Sequence, residues 1–143
     1  MEYSALIREL GGVLGFDLAF SADGTCGVFF DEDEIFFELN DKRLFIMAEL
    51  GSSEGRELDC MRLLKAANLG LETGFSCIGI DEVSGQFTLC RVLEGDVAYP
   101  DFEQILTIFV GAVRYWKEWL SLPPEEAKVP QEQQSQAVYQ FKI

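Results

Sequence analysis

The sequence predicts an α+β fold: an antiparallel five-stranded twisted sheet carrying three helices, in the order α-β-β-β-α-β-β-α, paired as a homodimer. Three observations lead there. Apolar residues recur at helical spacing in three segments and alternate with period two in five others. The gaps between neighbouring strand-like runs are too short for crossovers and force hairpins. Hairpin runs and helices are segregated along the chain, which lays helices on one face of an antiparallel sheet.

The first helix covers residues 3 to 14. Leu6, Ile7, Leu10, Val13 and Leu14 make one apolar stripe, and Gly15 stops it. Ala22-Asp23-Gly24 is a turn signal. Strand-like runs follow at 25–31, 34–39 and 44–50, separated by Glu32-Asp33 and by Asn40-Asp41-Lys42-Arg43. The period then changes over 58–71. Leu58, Met61, Leu64, Asn68 and Leu71 form one stripe of a helix, Cys60, Leu63 and Ala67 a second, and Gly70 and Gly74 end it. Strands at 77–83 and 86–93 flank Ser84-Gly85, a two-residue hairpin signal. The last helix, 101–120, opens after Pro100 with Asp101 suited to its first turn. Its core stripe is Phe102, Ile105, Leu106, Phe109, Val113, Trp116 and Leu120.

Residues 1–120 therefore form the α+β domain. The composition shifts at 121: residues 121–143 hold three of the four prolines and five of the seven glutamines. Such a stretch buries little apolar surface and is expected to be a flexible tail. One domain suits a chain of 143 residues, and 48% apolar content with 12 Phe supplies its core.

The formal charge of −14 repels phosphate backbones and anionic lipid, so neither nucleic acid nor a membrane is an expected partner. No apolar run approaches the length of a membrane span, and Glu2, Arg8 and Glu9 interrupt what a signal peptide would keep apolar. A cytoplasmic protein is expected. The cysteines at 26, 60, 77 and 90 form no C-x-x-C pair and read as reduced thiols. The absence of His removes the commonest general base and most zinc and iron sites.

No catalytic constellation emerges. Asp31-Glu32-Asp33-Glu34 is the densest acidic run, but a calcium loop counted from Asp31 would place Phe36 and Lys42 where Gly and Glu are required. The run reads as a charged hairpin turn. Gly11-Gly12-Val13-Leu14-Gly15 lacks dinucleotide-loop spacing and follows a helix. Asp81 and Glu82 read as solvated acids beside a turn. No cofactor and no metal site is expected. Paired carboxylates leave a carboxylate-based enzyme as one alternative, although no pair stands out among 25 acids.

Apolar surface is instead in excess. Ile35, Phe37 and Leu39 alternate with Glu34, Phe36 and Glu38, and Leu44, Ile46, Ala48 and Leu50 alternate with Phe45, Met47 and Glu49. One face is core. The other carries Phe29, Phe36, Phe45 and Met47 among glutamates, where a solvated face should be polar. Either the same chain covers it, by a helix or the C-terminal tail, or a partner does, since aromatics and Met are enriched at interface cores. The middle helix is apolar around most of its circumference, and Cys60, Leu63, Leu64 and Ala67 are the expected dimer contacts.

Several of these residues together resemble a known pattern. They are the helix end from Leu10 to Gly15, Asp23-Gly24-Thr25-Cys26 entering a strand, and Asp31 followed by Ile35 and Leu39. Leu63-Leu64-Lys65-Ala66-Ala67-Asn68, the hairpin Ile80-Asp81…Gly85…Leu89 and the helix Leu106…Phe109-Val110…Trp116 complete it. With the small acidic chain, residues 3–120 resemble the class I type III secretion chaperones, the Tir-chaperone-like family. The link 94–100 departs from the usual Leu-Pro-containing connection, and the Gln-rich tail is extra. The resemblance implies a bacterial cytosolic homodimer without catalytic activity. It would bind the N-terminal segment of one or more secreted effectors in extended form, with the secretion ATPase as a further candidate partner. Phe29, Phe36, Phe45 and Met47 are the expected effector contacts, and the exposed side of the first helix near Arg8 is the other candidate place for the effector. A chaperone-like domain with a non-secreted cytosolic partner is the other alternative.

Truncation after Leu122 is expected to leave the melting temperature within a few degrees. A loss above ~2 kcal/mol would show that the tail covers core.

Overall fold

The short connections build a meander before any helix crosses the sheet. In a computed structural model, which describes residues 2–124, the elements are α1 (Tyr3–Leu14), β1 (Thr25–Phe30), β2 (Asp33–Asn40), β3 (Arg43–Ser52), α2 (Glu57–Ala67), β4 (Cys77–Ile80), β5 (Gln86–Glu94) and α3 (Tyr99–Ser121). A single 3-10 turn, Asn68–Gly70, follows α2. The expected tail begins inside this frame, since α3 runs through Ser121, but residues 125–143 lie outside the described residues.

All strands pair antiparallel in the order β1-β2-β3-β5-β4. Chain order is broken once. After β3 the chain crosses through α2 to lay β4 at the far edge, and β5 then returns between β3 and β4. The two edges are thus β1 and the four-residue β4. The β1–β2 and β2–β3 turns are tight, closed by Phe30 opposite Asp33 and Asn40 opposite Arg43. Asp31 (φ 58°) and Asp41 (φ 59°) take the left-handed conformation these turns require, one that Asp tolerates better than most residues.

The β4–β5 connection is wider than the Ser84-Gly85 signal suggests. The Asp81 N–H donates to Gln86 O at 2.9 Å, leaving a four-residue loop over 82–85. Asp81 Oδ1 accepts the N–H groups of Val83 and Ser84 at 2.8 and 3.2 Å, so this acid shapes the turn as well as facing water. That local side-chain bond also ends β4 three residues before the expected boundary.

All three helices contribute to one core. Leu6, Ile7 and Leu10 of α1, Leu63 and Ala66 of α2, and Phe102, Leu106, Phe109, Val113 and Trp116 of α3 pack with Ile35, Phe37, Leu44, Ile46 and Leu89 from the inner face of the sheet. Helix α1 stops at Gly15 (φ 84°), where the Phe16 N–H reaches back to Gly11 O at 2.8 Å. The returning chain presses on Gly11, and a Cβ there would sit 2.6 Å from Phe16 O. Helix α3 starts at Tyr99, with Pro100 in its first turn, where a missing N–H costs nothing.

Helix α2 departs most from expectation. It ends at Ala67, and Leu69 (φ 63°) and Gly70 (φ 73°) break the periodicity that the sequence extends to Leu71. Only one stripe faces inward: Asp59, Leu63 and Ala66 are buried. Arg56 donates to the buried Asp59 carboxylate at 3.0 Å and to Leu120 O at 2.5 Å, tying the start of α2 to the end of α3.

The acidic hairpin is likewise more than a charged turn. Asp33 is buried, and its carboxylate accepts Arg114 Nε at 2.9 Å and Lys117 Nζ at 2.8 Å, both from α3. Arg114 also reaches Asp31 at 2.8 Å. Burial pushes the Asp33 carboxyl up, but the hydrogen bonds and charges of Lys117 and Arg114 outweigh it and hold the group below the usual range. Asp33→Ala is therefore expected to cost about 1–3 kcal/mol at neutral pH. Because the folded-state pKa is depressed, that stability is present above the unfolded value of about 4 and is lost as pH falls through the folded one. Chemical denaturation at several pH values checks this: the gap between native and variant should narrow in acid.

Candidate functional site

Alternation along the strands puts a second set of side chains on the face opposite the helices. The register aligns Gly27, Phe36, Met47, Cys90 and Cys77 in one row across all five strands. Thr25, Glu38, Phe45 and Val92 form the neighbouring row. Phe29 sits opposite Glu34 at the β1 edge. No residue of this face is buried, so no described element covers it.

The sequence-predicted cluster is thus brought together in part. Phe36, Phe45 and Met47 are adjacent and half-buried by one another and their neighbours, while Phe29 projects 63% exposed. The Phe36 ring leans over the missing side chain of Gly27: a Cβ built there would meet the ring at 3.7 Å. Such a ring covering a strand glycine shields the backbone beneath it. Arg8 does not join the group. It is exposed on α1, whose buried stripe packs on the covered side of the sheet. Glu34, Glu38 and Glu49 interleave with the apolar positions, so the face is an apolar band within an acidic field.

A second apolar surface lies along α2. Leu58, Met61 and Leu64 are exposed, Leu64 at 66%, and Cys60 and Ala67 are half-buried. Leu63, expected among the dimer contacts, is 2% exposed and belongs to the chain's own core, beyond the reach of a second chain. Two residues that periodicity did not single out extend the surface. Leu69 is 78% exposed and Phe75 is also exposed. Both hold positive φ, 63° and 60°, which is costly for such side chains. They border an apolar groove with Ala67, Gly70, Cys77 and Ile78. The strained loop is held from inside. Trp116 Nε1 donates to Glu72 O at 2.7 Å, Arg62 pairs with Glu72 at 2.7 Å, and Arg91 reaches Gly74 O at 3.1 Å. Arg62 also stacks over the Trp116 ring, 5.6 Å from its centroid.

Among the described residues no group of three or more Cys, Asp or Glu is placed to hold a metal ion. The close Asp33–Arg114–Lys117 cluster is satisfied internally and joins α3 to the sheet. Among the described residues no helix is long and apolar enough to cross a membrane.

Comparison with known proteins agrees with this architecture. The Tir chaperone protein (CesT) family matches residues 5–117. A search of curated proteins gave no match. The fold is similar to that in the HopA1–SchA chaperone–effector complex, at 21% identity and a TM-score of 0.69 over 81% of this chain and 93% of that one. It is similar to that in the ExsC–ExsE complex, at 20% identity and 0.68 over 82% and 96%. The Yersinia pestis type III secretion chaperone SycH, in complex with a fragment of YscM2, aligns at 19% identity and 0.63 over 80% and 98%. These likenesses establish the shared fold. The family match spans every element from α1 to the last turns of α3, and the chain belongs to the Tir chaperone protein (CesT) family.

Proposed function

We propose that the chain is a cytosolic, non-enzymatic type III secretion chaperone. As a homodimer it binds the N-terminal segment of a secreted effector and keeps it soluble and secretion-competent. One observation carries the reading: the apolar row Phe36–Met47 with Phe45 and Phe29 lies on a sheet face that no described element covers. Membership of the Tir chaperone family and similarity to chaperone–effector complexes support a protein ligand.

An extended segment suits this surface physically. Edge strand β1 pairs with one strand only; Ser21 takes up the backbone of Thr25 at its start, and beyond it the outer side can accept an added strand. Alternate side chains of such a strand would turn toward Phe29 and Phe36. Glu34, Glu38 and Glu49 favour a segment carrying Lys or Arg between its apolar anchors. The dimer would use Leu58, Met61 and Leu64 of α2, with Leu69 and Phe75 beside them. Burying these removes the exposed apolar surface that a monomer would leave in water.

Two variants test the reading. Phe36→Asp should fold, with a loss of about 1 kcal/mol from the ring over Gly27, yet lose the effector in co-purification from a secreting cell. Full effector retention, or co-purification of only a non-secreted partner, would contradict the proposal. Leu64→Glu should convert the dimer to a folded monomer by light scattering, whereas Leu63→Glu should lower the melting temperature because it charges the core. A persistent Leu64→Glu dimer would place the interface elsewhere.

A further inference from the structure

We propose that Cys77 and Cys90 form a reversible dithiol–disulfide pair that staples edge strand β4 to β5. The two residues are direct partners in the antiparallel register, so their side chains leave the same face of the sheet. The Asp81 N–H bond to Gln86 O fixes the phase of the ladder. Counting back in steps of two along an unshifted register makes Cys77 and Cys90 a hydrogen-bonded pair. Cα atoms in such pairs lie about 5.5 Å apart, inside the disulfide range of about 4.4–6.8 Å.

The side chains start wider than a relaxed disulfide. Facing Cβ atoms sit up to about 5.5 Å apart, and a disulfide draws them to about 3.5–4.5 Å. Closure therefore pulls the strands together. Strand β4 can yield, being four residues long, at the sheet edge and mostly exposed. The bond formed is strained, and strain raises the reduction potential. It is thus a bond that a reducing thiol pool reopens, not a permanent crosslink.

The partners divide the chemistry. In the single chain Cys77 is exposed, at the end of the groove that Leu69 and Phe75 border, while Cys90 is half-buried beside it. Burial, then the neighbouring Cys77 and Glu38, push the Cys90 thiol up, which keeps it protonated at rest. The Cys77 sulfur attacks one peroxide oxygen and breaks the O–O bond; the sulfenic acid forms, and the proton given up by the Cys77 thiol leaves on the departing oxygen as water. The Cys90 sulfur then attacks Cys77 Sγ, expelling a second water as its own proton leaves. Two electrons pass to the peroxide. Two equivalents of glutathione-class thiol reverse the change. Cys26 and Cys60 face no cysteine in the register and serve as internal controls.

The test uses the full chain treated with dilute hydrogen peroxide and mapped by non-reducing peptide mass spectrometry. The expected product is an intramolecular Cys77–Cys90 link, lighter by two hydrogens, with slowed amide exchange at Ile78 and Gly79 and full reversal by glutathione. Cys77→Ser or Cys90→Ser should abolish it, and Cys26→Ser and Cys60→Ser should not. Over-oxidation of Cys77 to sulfinic acid with Cys90 still reduced would overturn the proposal. So would links formed only between chains.

Discussion

Every other feature depends on how this sheet is buried. Three helices pack on one face, where Phe37, Ile46, Leu89 and Trp116 share a single core. A single sheet between helices and water needs only one apolar face, because alternation hands the other to solvent. This chain keeps Phe36, Phe45 and Met47 on that other face. Their apolar character contributes nothing to the inner core and leaves a surface that water disfavours. A binding protein tolerates that cost, since the same surface is its source of affinity. The acidic residues between the apolar ones limit self-association at this face and, in the function proposed above, favour a basic segment there.

The scaffold behind the open face is made rigid by polar anchors as well as by apolar packing. Asp33 receives Arg114 and Lys117 from α3, which fixes the β1–β2 hairpin to the helix layer. Asp59 and Leu120 O share Arg56, which fixes α2 to α3. Trp116 and Arg62 hold the loop at Glu72. Each anchor joins elements distant in sequence, so the exposed strands and the exposed side of α2 are presented on one connected body. Strand β4 is short and lies at an edge, and there Cys77 and Cys90 face each other.

The hydrophobic period made most of the fold legible in the sequence, because period two and period 3.6 assign faces directly. Phe36 and Phe37 fall on opposite sides of the sheet as alternation requires. What failed was decided by contacts that periodicity does not see. Leu63 and Leu64 both read as apolar helix positions, and only packing against α3 and the sheet shows that Leu63 is core and Leu64 surface. Asp33 read only as part of a charged hairpin turn because its cations lie more than 80 residues away. Arg114 and Lys117 at i and i+3 on one helix were the available signal. Leu69 and Phe75 were missed because strain at positive φ has no period. Arg8 lies on α1, which packs on the helix side of the sheet, so it marks a place separate from the open face.

The central claim is that the Phe36–Met47 face is open in the isolated protein and closed only by a partner. Oxidative footprinting of the isolated full-length chain, read by mass spectrometry, addresses it directly. The account predicts that Met47 and Phe29 are modified readily while Phe37 and Trp116 are protected, and that Met47 becomes protected when the chain is purified together with its effector. Protection of Met47 in the isolated chain at the level of Phe37 would mean that the protein covers its own face, and the binding site would have to lie elsewhere.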